Sequence, residues 1–243
     1  MNIAAVIPAR YESKRFRGKP LVKIAGVPMI ERVYRRVEES GRFSHVVVAT
    51  DDERIAGVVR GFNGLAVMTS DQHRSGTDRI WEVVLNSDYD AVVNIQGDEP
   101  LISGKLIQNV YDRLADGHSD VVTAAYFNHS FKEFQSPHVV KVVFDHIMEA
   151  LYFSRSPMPY YNGTKEDFPG FYQHIGIYGY LRSALEKFVG FAPSSLETAE
   201  RLEQLRFLQN HIQVTVVESQ YRSFGVDTPE DIQVIEQLIK EGI

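Results

Sequence analysis

Four short apolar runs in the first half of the chain, at 3–7, 46–49, 65–68 and 91–95, alternate with stretches whose apolar residues recur at helical spacing. Strands and helices in strict alternation form βαβ units, which pack around a mostly parallel sheet covered on both faces. The stretch 28–40 presents Met29, Ile30, Val33, Tyr34 and Val37 on one side, with Pro28 suited to a first helical turn. The stretch 54–62 does the same with Ile55, Val58, Val59 and Phe62, entered through Asp51-Asp52 and left through Gly64. With a third helix at 78–85, this predicts a Rossmann-like α/β core.

The second half has a different texture. Extended runs at 139–144 and 150–153 flank Asp145-His146 and predict a hairpin projecting from the core. Pro157, Pro159, Gly163, Pro169 and Gly170 punctuate a long loop, of the kind that serves as a lid or a mobile crossing. A strand at 174–180 and a helix at 198–209 with Leu202, Leu205 and Leu208 inward follow. Thr228 as N-cap, Pro229 in the first turn and Asp231 as its acidic third residue announce a last helix, which buries Ile232, Ile235, Leu238 and Ile239. With no repeat or linker, the expectation is a single domain over 1–243 with an embedded sub-lobe at about 135–195.

Composition removes several kinds of chemistry. The 243 residues include no cysteine, so disulfides, zinc ribbons, iron–sulfur clusters and thiol nucleophiles are excluded. Lys and Arg total 26 against 32 Asp and Glu, a net charge of −6 that argues against a general nucleic-acid binder. The N-terminal stretch has no basic region followed by a long apolar run, and no span suits a membrane, so the expectation is cytoplasmic.

Against that acidic background, the segment from Arg10 to Lys19 holds five basic residues and one acid, a local +4. A charge run is ordinarily solvated surface. This one follows a strand end, where α/β sheets bind ligands, and with Gly18 freeing backbone amides it suits a polyphosphate. No G-x-G-x-x-G follows a strand, and no P-loop, G-x-S-x-G or H-E-x-x-H occurs. Dinucleotide oxidoreductases, P-loop kinases, α/β-hydrolases and zincins therefore recede.

The fourth strand ends in Gln96-Gly97-Asp98-Glu99-Pro100, which makes Asp98 the first candidate for a Mg²⁺ ligand; the competing reading is a turn residue before the helix from Ser103. Asp227 precedes the last helix and is either a second ligand or plain helix-start acidity. Ser75-Gly76-Thr77-Asp78-Arg79 opens the third helix and could grip a base or phosphate, or merely cap it. His174 and Tyr178, four apart on a strand, share a face. Arg155 at the hairpin's end could meet an anion, and Glu203 and Gln204 need partners if they face inward.

In order along the chain, Pro8-Ala9-Arg10-Tyr11, Ser13, Arg15, Gly18-Lys19-Pro20-Leu21, Ser75 to Arg79, Gln96 to Pro100, Tyr152-Phe153-Ser154-Arg155, His174 to Tyr180, Leu202 to Arg206 and Gly225 to Asp231 resemble the CMP-Kdo synthetases, 3-deoxy-manno-octulosonate cytidylyltransferases of lipopolysaccharide inner-core biosynthesis. The resemblance runs over nearly the whole chain. It implies a GT-A-like nucleotidyltransferase fold, usually a homodimer, that joins CTP to a 3-deoxy-octulosonic acid and releases pyrophosphate. By position it implies Arg10, Arg15 and Lys19 on the triphosphate, with Ser13, Ser75, Gly76, Arg79 and Gln96 around the nucleotide. Asp98 and Asp227 would share Mg²⁺, and Arg155, His174, Tyr178, Glu203 and Gln204 would line the sugar-acid pocket.

Three departures from the family pattern stand out. Phe16-Arg17 replaces a usual Leu-Pro, the stretch 157–161 lacks a tryptophan common after its proline pair, and Glu197-Thr198-Ala199-Glu200 replaces a frequent His-Ile. The last two fall near the sugar side and leave two acceptors open, Kdo and its 8-amino-3,8-dideoxy analogue. A GT-A glycosyltransferase using a nucleotide sugar is the alternative enzyme class, though it would want an Asp-x-Asp motif that Gln96-Gly97-Asp98-Glu99 does not supply. A non-catalytic nucleotide-binding regulator is the alternative outside enzymes.

Overall fold

The computed structural model describes residues 1–12, 16–73 and 75–242. The helices are α1 (Met29–Glu39), α2 (Glu53–Gly61), α3 (Gly76–Leu85), α4 (Gly104–Ala115), α5 (Phe131–Gln135), α6 (Arg182–Gly190), α7 (Ser195–Glu200), α8 (Leu205–Gln209) and α9 (Pro229–Lys240). Among the described residues the main sheet has nine strands: β1 (Ile3–Ala9), β4 (Val46–Thr50), β5 (Leu65–Met68), β6 (Ala91–Asn94), β7 (Val121–Asn128), β8 (Lys141–Phe144), β9 (Ala150–Ser154), β10 (Phe171–Leu181) and β11 (Thr215–Ser219). A small ribbon pairs β2 (Lys23–Ile24) with β3 (Val27–Pro28).

Sheet order is β11-β7-β10-β6-β1-β4-β5, with β10 antiparallel to β6 and β7 and the other neighbours in that path parallel. From β1 the chain steps outward to β4 and β5, then returns to β6 on β1's other side. That reversal opens a crevice at the carboxyl ends of β1 and β6, where an open α/β sheet binds its ligand. The apolar run of β1 serves both faces: Ala5 and Ile7 pack with Ile30 and Val33 of α1 and Ile107 and Val110 of α4, while Ala4 and Val6 pack with Ile80 of α3, Leu185 of α6 and Phe207 of α8. A third, smaller cluster, Ile24, Met29, Leu101, Val226 and Ile235, docks α9 beside the crevice.

Several expectations change. β1 runs through Pro8, which pairs with Ala49. Ile95 N–H donates to Val6 O at 3.1 Å, so the even-numbered residues of β1 turn their polar groups toward β6. Pro8's missing donor thus falls beyond the last β1–β6 pair, Val6 with Asn94, where no ladder bond is lost. The hairpin β8–β9 does not project: Lys141 pairs with Gln173 of β10, Glu149 bridges Thr215 of β11, and Val142 and Phe153 are buried in the second core. The loop that follows is anchored by Phe168, whose ring packs on those of Phe134 and Phe131 of α5.

The helix expected over 198–209 is two short helices. Arg201 adopts a left-handed backbone (φ 54°) at the end of α7, and the chain turns through 202–204 before α8 begins. The break buries Leu202 and Leu205 but leaves Leu208 only partly covered, and it turns Gln204 inward.

Candidate active site

Lys19 is placed by a tight turn. Gly18 has a positive φ of 71°, and a Cβ there would lie 3.2 Å from the Tyr11 ring. That ring in turn carries the Arg54 guanidinium, 3.3 Å above its centroid. From this turn Lys19 reaches into the crevice, where its Nζ donates to Asp98 Oδ2 at 2.5 Å and to Val226 O at 2.8 Å and stands 3.9 Å from Asp227 Oδ1. One ammonium thus gathers both carboxylates. The helix-start role goes instead to Asp231, whose Oδ2 accepts from the N–H of Asp227 and of Thr228 at 2.8 Å each. Likewise Ser103, and not Asp98, caps α4.

Beside Lys19, Arg10, Gln96, Gly97 and Asp98 line a cavity of about 220 Å³, together with Pro8, Ala9 and Glu12. Gly97 lies where a Cβ would be 3.0 Å from Pro8 O, so only glycine lets the two strand ends close this tightly. Gln96 Nε2 donates to Asn94 Oδ1 at 3.3 Å. Arg10 donates to His73 O and stands 3.6 Å from Asp51 Oδ2. That same Asp51 oxygen accepts from Arg79 Nη2 at 2.5 Å.

Arg79 has no exposed surface, so it braces the wall from behind through Asp51 and Thr69, and burial lowers its pKa. Its Nε finds no hydrogen-bond partner among the described residues. Ser75 and Asp78 form a reciprocal capping box at the start of α3, and Gly76 packs on Pro8. Ser13 and Arg15 lie outside the described residues.

The expected sugar-side residues lie on the strand next to β6 and on the turn after α7. In β10 the register against β7 slips between Ile175 and Tyr178, and this irregularity brings the His174 and Tyr178 rings to 5.4 Å. A regular strand would hold residues four apart at roughly 13 Å. Thr123 Oγ1 donates to Ile177 O at 2.8 Å, so His174 Nε2, 3.0 Å from Thr123 Oγ1, is the protonated nitrogen. Burial pushes the His174 pKa down to about 3. The buried Tyr178 hydroxyl has no partner of hydrogen-bonding geometry among the described residues. Glu203 Oε1 accepts from Thr77 Oγ1 at 2.5 Å, and burial raises its pKa. Gln204 is buried beside it.

Arg155 is held by three carbonyl oxygens, Glu200 at 2.9 Å, Pro137 at 3.0 Å and Arg201 at 3.4 Å. Glu200 also accepts from Ser154 Oγ and from Arg155 N–H. Lys141, fully buried and drawn down to about 8 by burial and by Arg155, donates to Ser136 O, Val139 O and Arg155 O. Asp51, Thr123, Lys141 and Glu200 were not among the candidates. Asp51, an acid at a strand end like Asp98, carries a signal that would find it, and Glu200 falls in the 197–200 departure on the sugar side; Thr123 and Lys141 carry none.

Among the described residues no group of three or more His, Cys, Asp or Glu gathers as a metal site. Asp98 and Asp227 still fit Mg²⁺: they offer oxygen donors only, and they already flank a cation, the Lys19 ammonium. Two carboxylates suffice where phosphate oxygens and waters complete the shell. The whole arrangement therefore suits a polyphosphate, a hard cation and a hydroxylated second substrate on the β10 side.

A family model described as cytidylyltransferase matches residues 4–219. The chain is 47% identical to the 3-deoxy-manno-octulosonate cytidylyltransferase of Geobacter metallireducens, with 98% of each chain covered. To the protein of that name from Syntrophobacter fumaroxidans it is 44% identical, over 99% of this chain and 98% of the other. Among solved structures it is similar to a CMP:2-keto-3-deoxy-manno-octonic acid synthetase complexed with CTP, with a TM-score of 0.94 and 38% identity over the whole of both chains.

Proposed function

The chain belongs to the 3-deoxy-manno-octulosonate cytidylyltransferase family, and from that premise we propose how its side chains divide the work. The enzyme activates 3-deoxy-manno-octulosonate (Kdo) with CTP, giving the CMP-sugar and pyrophosphate. The anomeric hydroxyl oxygen bonds to the α-phosphorus, the bond from that phosphorus to pyrophosphate breaks, and the hydroxyl proton passes to solvent. Charge grows on the phosphoryl oxygens and the leaving group, so the protein's task is to position and to stabilise charge.

Arg10 and Lys19 would hold the triphosphate, joined, as the resemblance implies, by Ser13 and Arg15. Gln96, with the start of α3 at Ser75 and Gly76, would face the nucleoside. Arg79 would act through Asp51, which stands beside Arg10. Asp98 and Asp227 would hold Mg²⁺, which when bound neutralises charge on the phosphates and orients them. The observation that carries this reading is the Lys19 ammonium lying 2.5 Å from Asp98 and 3.9 Å from Asp227, with Arg10 and Gln96 on the adjoining cavity wall.

On the sugar side, neutral His174, the Tyr178 hydroxyl, Glu203 and Gln204 would hydrogen-bond the acceptor. A guanidinium has five N–H donors, so the carbonyl bonds of Arg155 leave donors for the sugar carboxylate. The departures at Glu197 and Glu200 have internal partners: Glu197 pairs with Arg206 at 2.5 Å and caps α7, and Glu200 anchors Ser154 and Arg155. Both carboxylates are thus accounted for without an ammonium on the substrate, which favours Kdo over its 8-amino analogue.

The proposal includes a homodimer built on the sub-lobe at 135–195, where Ile147, Leu151 and Tyr160 are exposed, and a cytoplasmic site of action. Among the described residues no helix is long and apolar enough to cross a membrane.

The test is pyrophosphate release from CTP with each sugar, with and without Mg²⁺. Wild type is expected to require the metal and to show a higher kcat/KM with Kdo. Asp98→Asn and Asp227→Asn should each lower turnover by at least about 100-fold while keeping the wild-type melting temperature within a few degrees. Full turnover in either variant would remove that residue from the metal site.

A further inference from the structure

Asp227 sits on a segment that belongs to no strand or helix, so something other than the sheet must fix its distance from Asp98. The segment 222–227 is tied at intervals. Arg222 pairs with Glu133, and Ser223 Oγ donates to Glu99 Oε2. Gly225 then passes so close that a Cβ there would lie 3.2 Å from Glu99 Oε1. Val226 N–H donates to Asp98 O at 2.9 Å, and Val226 O accepts from Lys19. The ties from Ser223, Gly225 and Val226 land on Asp98, on its neighbour Glu99 or on Lys19, while the Asp227 N–H donates to Asp231 Oδ2 at 2.8 Å. Asp98 lines the cavity, whereas the Glu99 carboxylate reaches this segment at Ser223.

We propose that Glu99 and Ser223 are positioning residues: their hydrogen bond and the close passage of Gly225 fix the approach of Asp227 to Asp98 and so set the affinity of the carboxylate pair for a divalent cation. Neither side chain touches substrate. The inference rests on the reading that Asp98 and Asp227 are the metal ligands. Groups that orient metal ligands without binding the ion typically change its affinity by about 10–100-fold when removed.

The experiment is a Mn²⁺ titration of the full chain in the presence of CTP and without sugar, followed by electron paramagnetic resonance, alongside the Mg²⁺ dependence of pyrophosphate release. Ser223→Ala is expected to raise the half-saturating concentration of both ions by about 10-fold. At saturating Mg²⁺ its kcat and its KM for the sugar should return to within about twofold of wild type, and Ser223→Thr should restore metal affinity. Glu99→Gln, of the same shape, gives a second measure of the same shift should Ser223→Ala unfold. Unchanged Mn²⁺ affinity in folded Ser223→Ala and Glu99→Gln, or a loss of kcat that saturating Mg²⁺ does not repair, overturns the proposal. Asp98→Asn and Asp227→Asn separate the two readings: tight Mn²⁺ binding in both would remove the ligand assignment itself, whereas its loss there with none in Ser223→Ala would remove only the positioning role.

Discussion

His174 packs edge-on to Phe153 and beside Tyr178 and gives its Nε2 proton to Thr123, so a second proton would place a charge among rings. Its pKa of about 3 in the fold lies below the roughly 6.5 of an unfolded chain. Between those values the unfolded state binds the extra proton, so the stability contributed by the neutral ring is complete above about pH 6.5 and is lost as pH falls toward 3. His174→Gln, which takes up no proton, should therefore show a shallower fall of melting temperature than wild type from about pH 6.5 to about pH 4. Differential scanning fluorimetry across that range checks it, and equal slopes would mean that the ring takes up its proton as readily in the folded enzyme as in the unfolded chain. The residue type and its strand were legible in the sequence. Its tautomer was not, because Thr123 lies on a different strand, 51 residues away. The same holds for Arg155, whose cationic end looked free until the fold brought three carbonyl oxygens to it.

At the scale of elements, the loop from β1 shows how a backbone conformation places a candidate binding group. Gly18 N–H donates to Tyr11 O at 2.8 Å, and the left-handed turn at Gly18 then directs Lys19 into the crevice. A side chain at this φ costs roughly 1–2 kcal/mol, and the Tyr11 ring would also have to give way. Gly18→Ala should lower stability by about that amount and raise the KM for CTP more than that for the sugar, as thermal melts and initial rates would show. Equal KM values to wild type would mean that the turn does not place Lys19. Strands β1, β4, β5 and β6 and the capped last helix were readable because each is specified locally, by an apolar run or by the Thr228–Asp231 box. The break between α7 and α8 was not, since the leucine spacing fits one continuous helix and a non-glycine residue, Arg201, takes the left-handed position that ends it.

For the molecule as a whole, the site is where three remote parts of the chain meet: the loop after β1, the turn after β6 and the segment before α9. Lys19 and Val226 bond across 207 residues, a proximity that no local pattern encodes. Two of these parts are rooted in the central strands, but the third is held by the smallest of the three buried clusters, with Phe224, Ile232, Leu238 and Ile239 partly buried against it, and by the ties onto Asp98, Glu99 and Lys19. Few buried apolar contacts make a segment open at lower free energy than the core. In hydrogen exchange, the amides of α9 and of 223–228 should therefore exchange faster than those of β1 and β6 in the free enzyme. A ligand that needs Asp227 binds only the closed form, and at about 100 times its dissociation constant it stabilises that form by about 2.7 kcal/mol. CTP with Mg²⁺ should then slow exchange in α9 and 223–228 by about 100-fold, a larger factor than in α6, which lies against the opposite face of the sheet. If instead CTP with Mg²⁺ protects residues 10–21 and 96–99 but leaves 223–228 unchanged, Asp227 is not part of the bound site, and the nucleotide is held by the two strand-end loops alone.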